Sequence, residues 1–445
     1  MSATMRLAQR IAGARFDEIP ANAVEVGKQA LMDFIGVTVA GAHEPLANIL
    51  VDEAEHEGGH PQAQLIGRAT KATASQAALI NGSAGHAHDY DDVHNAMSGH
   101  PTVPVAPTAL ALAECLGKSG RDLITAFCAG VDAECILGRY AGPAHYARGW
   151  HATGTLGSFG AAAAAAHLKG LDAETTARAL GIAGTQAAGL KSQFGTMCKP
   201  LHAGHAAATG LQAANLAARG FTSRSDILET EQGFMATQSE SADLARFDSA
   251  LAKQAFTQDI CFKYHAACYL THSSIEATNN LCSKNAFDPN DIVAVDIEVD
   301  EGHLRVCNIQ EPQTGLEAKF SLRFTAAMAL AGIDTSSIEI YTDELTRDPT
   351  LVGFRDKVTV SAHEARNPDS IVTIRTKDGA DHVDAFNVAI PMTDLDAQWQ
   401  KLETKFHALV DPRLGTRQAQ AIVAACHALE DMDELNEFFP ELAEH

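Results

Sequence analysis

From the N-terminus to about residue 263, apolar side chains recur at the three- and four-residue intervals of buried helix faces. Residues 23–39 carry this spacing, with Asn22 placed to cap them. Residues 104–116 have prolines near their start, where a missing N–H costs little. Residues 122–140 repeat it through Leu123, Phe127, Val131 and Ile136. Residues 154–169, 173–190 and 202–219 predict further helices separated by glycines, with Thr153 or Thr155 available to cap the first of them.

The period changes after about residue 285. Residues 292–299 alternate as a half-buried strand does, and 358–360 read as a short strand. Residues 371–376 and 383–388 flank Asp378-Gly379, a type I′ hairpin signal. A helix over 318–331 lies among these strands, and helical spacing returns at 395–410 and 416–429. The predicted fold is mostly α: a large all-helical domain (1–263 and 395–445) with an inserted smaller α+β lid domain (264–394). A chain that leaves a domain and re-enters it creates a cleft, a usual place for a ligand.

Composition narrows the function. The 34 glycines and the long alanine runs suggest helices packed closely through small side chains. A net charge of −23 without a Lys/Arg cluster argues against a nucleic-acid partner and demands a locally positive pocket for any anionic ligand. The nine cysteines form no Cys-x-x-Cys pair; Cys128/Cys135 and Cys261/Cys268 have a helical core spacing, as expected of reduced, buried thiols in a cytoplasmic protein. No secretory segment or bilayer-length apolar run is evident. Nor does a P-loop, dinucleotide fingerprint or Gly-x-Ser-x-Gly elbow occur in a suitable context.

Polar chemistry gathers in four segments. Four histidines and three aspartates fall between His86 and His100, ahead of Pro101. They fit a metal-free acid–base site, a solvated loop with capping aspartates, or a metal site. His86, His88 and Asp89 would serve an HD-type phosphohydrolase, although the spacing matches no zinc motif. His151 precedes an Ala-rich helix. Lys199 stands before Pro200, with His202 and His205 following at three-residue spacing. Lys263 lies where the helical pattern gives way. Alone, His151 reads equally as a core residue and Lys199 or Lys263 as a surface lysine. Together, helix N-termini with Lys and His would build a positive pocket for a di- or tricarboxylate. Fixed donors there would stabilise the charge that develops when a proton leaves a carbon beside a carboxylate.

At these same segments the chain resembles the MmgE/PrpD family. The marks are Gly85-His-Ala-His-Asp-Tyr-Asp-Asp92 with His100-Pro101, Gly149-Trp-His-Ala-Thr153-Gly, Lys199-Pro-Leu-His-Ala-Gly204, Phe262-Lys-Tyr264 and Glu317-Ala-Lys-Phe-Ser-Leu322. The resemblance implies a homodimer with a cleft site that holds no metal or organic cofactor, acting on a small anionic polycarboxylate. It implies Asp89, His100 and His151 as catalytic residues and Lys199 and Lys263 as holders of substrate carboxylates. His202 is added as a substrate contact, and Tyr146, five residues before His151, as a proton donor. Family dehydratases and decarboxylases usually carry Thr where Val93 stands, and the lid tyrosine expected in decarboxylases has no clear match near residues 307–312. The expected reaction is therefore epimerisation of iminodisuccinate, ahead of dehydration of 2-methylcitrate and decarboxylation of cis-aconitate.

Overall fold

The computed structural model describes residues 1–364, 367 and 369–444. The chain divides into two compact units, Met1–Phe262 with Met392–His445, and Lys263–Pro391. Lys263 thus opens the second unit and residues 392–394 belong to the first, against boundaries expected after 263 and before 395.

The first unit is helical apart from one minimal antiparallel pair, β1 (Ala63–Gln64) with β2 (Lys71–Ala72), which the sequence pattern did not suggest. Small residues set its packing. A Cβ on Gly204, in the Cys198–Ala218 helix, would sit 2.0 Å from the Leu79 carbonyl oxygen, and one on Gly82 would sit 2.9 Å from the Gly204 Cα. The Ala74–Gly85 and Cys198–Ala218 helices therefore cross with backbones in contact. Ala161 to Ala166 of the Ala152–Leu168 helix are wholly buried. Dense small-residue packing of this kind leaves little freedom to the helix ends, which is where the polar segments lie.

Several helix boundaries differ from expectation. The first long helix runs Ala21–Gly41 from Pro20, so Asn22 lies inside it and caps nothing. Ser119 caps the Gly120–Ala141 helix through a reciprocal pairing with Asp122, which had been read as the first residue of that helix. His151, not Thr153 or Thr155, is the N-cap of Ala152–Leu168. The helix expected over 173–190 ends at Gly184. The chain beyond it runs as a loop whose Gly189 carbonyl accepts the His151 N–H at 3.0 Å, a bond a continued helix would have used internally.

The second unit holds a four-stranded sheet in the order β4-β3-β5-β6: β3 (Ile292–Val299), β4 (Val358–Ala362), β5 (Ser370–Thr376) and β6 (Asp381–Phe386). β3 pairs parallel with β4 and antiparallel with β5. Val295, Ile297, Val299, Val372 and Ile374 form a core with Leu322, Ala326 and Leu330 from the Leu322–Leu330 helix, which is shorter than expected. The β5–β6 turn is not type I′, because only Gly379 has a positive φ (85°). Thr376 and Ala380 close a three-residue loop instead. The nine cysteines are free. Cys261 and Cys268 share no helix: Cys261 pairs by backbone with Val93, and Cys268 precedes the Tyr269–Lys284 helix. Among the described residues, no single helix is long and apolar enough to cross a membrane.

Candidate active site

The polar segment between His86 and Pro101 is a tethered loop in the first unit. It leaves the Ala74–Gly85 helix at His86 and turns through Asp89, whose φ of 52° is left-handed. Aspartate tolerates that conformation better than most residues, and strained backbone of this kind concentrates at functional sites. Val93 exchanges both backbone hydrogen bonds with Cys261 at 2.9 Å, and His94 pairs with Gly99. From the returning Leu395–Leu414 helix, buried Lys405 donates to the Tyr90 carbonyl at 2.8 Å and pairs with Asp33 at 2.7 Å. The loop is thus held from both ends and from beneath.

Asp91 is the hub. It is buried, and its two oxygens lie 2.8 and 2.9 Å from Nδ1 of His86. One of them also lies 3.0 Å from Nδ1 of His100. The Asp92 carbonyl lies 2.8 Å from the same His100 nitrogen. Carbonyl and carboxylate only accept, so Nδ1 of His100 carries a proton and Nε2 is its exchangeable position. That Nε2 is 3.5 Å from Oδ1 of Asp89, which pairs with the Lys199 ammonium at 2.8 Å. The His86 ring lies 4.6 Å from that of His100 and 5.8 Å from that of His151. Nδ1 of His151 meets Nδ1 of His202 at 3.1 Å, and Phe194 packs edge-on against His151. The Thr153 hydroxyl accepts the His100 N–H at 3.0 Å, tying the loop to the first turn of the helix that His151 caps.

Burial and neighbouring charge set the protonation states. Burial pushes His86 down to about 4. His151 is held lower still, first by burial and then by His86, His100, Lys199 and His202, so it is a neutral imidazole at neutral pH. Burial alone would raise Asp91, but His100 and His86 outweigh it and keep its carboxylate ionised. Asp92, which accepts from the Thr102 hydroxyl, and Glu134 are both held well above the usual carboxylate range, chiefly by burial. Burial, with Asp89 nearby, also raises Tyr146.

The first unit therefore brings together Asp89, His100, His151, Lys199 and His202. Tyr146 is peripheral: Lys191 lies over its ring at 3.6 Å, and its nearness to the site shows only through Asp89. His205 is exposed, so the three-residue spacing from Lys199 does not bring it in. Lys263 is buried at the start of the second unit. His94 is structural; its Nε2 donates to the Phe256 carbonyl and its Nδ1 accepts from the Ala96 N–H. His88 faces Ala40 and Glu44, so the trio needed for an HD-type metal site does not form. His86, Asp89, Asp91 and His100 do place donor atoms within 4.8 Å of one another. Yet the Asp91 oxygens already accept imidazole N–H groups, and Lys199 already supplies a cation to Asp89. The helix beginning at Thr102 does not offer its first amide to a ligand either, because Asp92 accepts it. Sequence reasoning left Asp91 without a role and considered His86 only as a metal ligand. Their spacing of five, with the chain turning between them, was the available signal.

Family models cover most of the chain. The MmgE/PrpD N-terminal domain matches residues 5–246 and the MmgE/PrpD C-terminal domain residues 265–431. The chain belongs to the MmgE/PrpD family. Cis-aconitate decarboxylase of Homo sapiens is 25% identical, over 97% of this chain and 93% of its own length. Cis-aconitate decarboxylase of Aspergillus terreus is 27% identical over 79% and 77% respectively. In this chain the loop Gly85–Asp92, the Trp150–Thr153 turn and the Lys199 helix start converge on the Asp91 hub.

Proposed function

We propose that this MmgE/PrpD protein is an acid–base enzyme of small polycarboxylates and acts as a lyase. The observation that carries the reading is the grouping of two differently prepared histidines with one ammonium. His100 is backed by ionised Asp91, His151 is neutral and uncharged by burial, and Lys199 stands beside them. A substrate carboxylate would exchange for or share Asp89 on Lys199. Its negative charge would raise the proton affinity of His151, reversing the effect of the surrounding cationic groups. The resulting imidazole could remove a proton, while His100, held by Asp91 through Nδ1, delivers one from Nε2. Charge developing on carboxylate oxygen would be met by Lys199 and by the uncapped start of the Ala152–Leu168 helix.

The named relatives favour loss of a group over simple return of the proton. In decarboxylation, the C–C bond breaks, its electrons stay on carbon, CO₂ leaves, and the His100 proton quenches the carbanion. In dehydration, the base takes the C–H proton and the acid protonates the departing hydroxyl. Epimerisation of iminodisuccinate is the second reading, favoured by Val93, which puts an apolar side chain where family lyases usually have a hydroxyl. Incubating the protein in D₂O with cis-aconitate, 2-methylcitrate and iminodisuccinate tests all three by NMR. Release of CO₂ or formation of an alkene supports the lyase reading. Deuterium entry into intact substrate transfers the assignment to epimerase, and no exchange with any of them refutes the proposal.

A further inference from the structure

The mechanism above leaves the buried imidazole of His86 unused. His86 is 1% exposed, spends Nδ1 on both oxygens of Asp91, and has no hydrogen-bond partner for Nε2 among the described residues. A bare polar atom in the interior costs on the order of 1–3 kcal/mol, so an apolar ring of the same shape would pack there at lower cost. What an apolar ring cannot supply is the N–H to Asp91. That carboxylate serves two imidazoles at once, His86 at 2.8 Å and His100 at 3.0 Å.

We propose that His86 is a positioning residue: by donating to Asp91 it fixes that carboxylate against His100, locks the proton on His100 Nδ1, and leaves His100 Nε2 to face substrate. The proposal rests on the reading that His100 exchanges a proton with a polycarboxylate. The groups facing this unit are Asp89 and Lys199 at the His100 end, and His151, with His202 behind it, beyond the His86 ring. Asp92 and Lys405, with Asp33, lie on the buried side. Without the His86 donor, the Asp91 anion is less stabilised and binds the His100 imidazolium more tightly. His100 then gives up its proton at higher pH.

The test combines His86→Phe, which removes the donor, with His86→Asn, whose amide can replace the Nδ1 donor. Proteins carrying ¹⁵N-labelled histidine report the tautomer and titration of His100 without any substrate, the signal being identified by its loss in His100→Asn. Wild type and His86→Asn are expected to show the Nδ1–H tautomer of neutral His100. His86→Phe is expected to move its titration up by about one pH unit. The limb of the pH–rate profile governed by His100 should move with it. If His86→Phe does not fold, the wild-type spectrum still decides: His100 protonated on Nε2 with Nδ1 bare overturns the proposal. An unmoved His100 titration in a folded His86→Phe protein overturns it equally. Should no polycarboxylate be turned over, the functional reading fails while the substrate-free spectra still judge the role of His86.

Discussion

Replacing Lys199 by alanine removes the ammonium that the first unit places beside the two histidines. In the free protein this ammonium lies 2.8 Å from Asp89 and 5.4 Å from the centre of the Phe194 ring. A substrate carboxylate taking the same position would sit about 4 Å from the charge centre, worth about 4 kcal/mol at an effective dielectric of about 20. Asp89 must be partly given up in exchange. Its half-exposed carboxylate is resolvated cheaply, so about 2–3 kcal/mol of net binding remains. That corresponds to a loss of about 30- to 150-fold in kcat/KM, most of it in KM, because the contact forms in the ground state as well as the transition state. Lys199 also contributes to holding His151 low, so its removal raises the proton affinity of His151 and moves the base-dependent limb to higher pH. Lys199→Arg keeps the charge and should recover most of the loss. The assay is initial-rate kinetics across pH on whichever polycarboxylate the protein turns over. A Lys199→Ala variant within threefold of wild type, with an unmoved pH profile, refutes the placement of the anion at Lys199.

Lys405→Met should destabilise the protein by about 3–5 kcal/mol in chemical denaturation, because it removes the buried ammonium that pairs with Asp33 and donates to the Tyr90 carbonyl. Gly204→Ala should cost at least about 1–3 kcal/mol and lower kcat as well, since the backbones it forces apart carry His86 and Lys199; calorimetry and kinetics on the one variant check both. His86 and His94 are folded with affinities pushed down to about 4 from 6.5, so the stability they lend is complete above pH 6.5 and is lost as pH falls through 4. Each can contribute up to about 3 kcal/mol to that loss, read as a falling denaturation midpoint between pH 7 and 4.5. Glu134 has the opposite sign. Folding holds it protonated, so it costs stability as pH rises above 4.5, and Glu134→Gln should gain on wild type steadily from pH 5 to 8.

The sequence by itself determined the helical first unit, the α+β second unit and the chain's return, because each rests on a local period of apolar residues. It also supplied the residue types of the site, since His100, His151 and Lys199 stand at helix starts that proline and glycine mark in the chain. Local pattern could not decide which polar residues in the His86–His100 segment face one another. That choice depends on a left-handed turn at Asp89 and a backbone pairing between Val93 and Cys261, 168 positions apart. It depends equally on Lys405 reaching Tyr90 across 315 positions. These long-range restraints send His94 into the core, His88 toward the rim, and His86 with His100 onto a single carboxylate. Only tertiary structure brings such partners together, because hydrogen-bond geometry is satisfied within a few tenths of an ångström and carries no periodic trace along the chain.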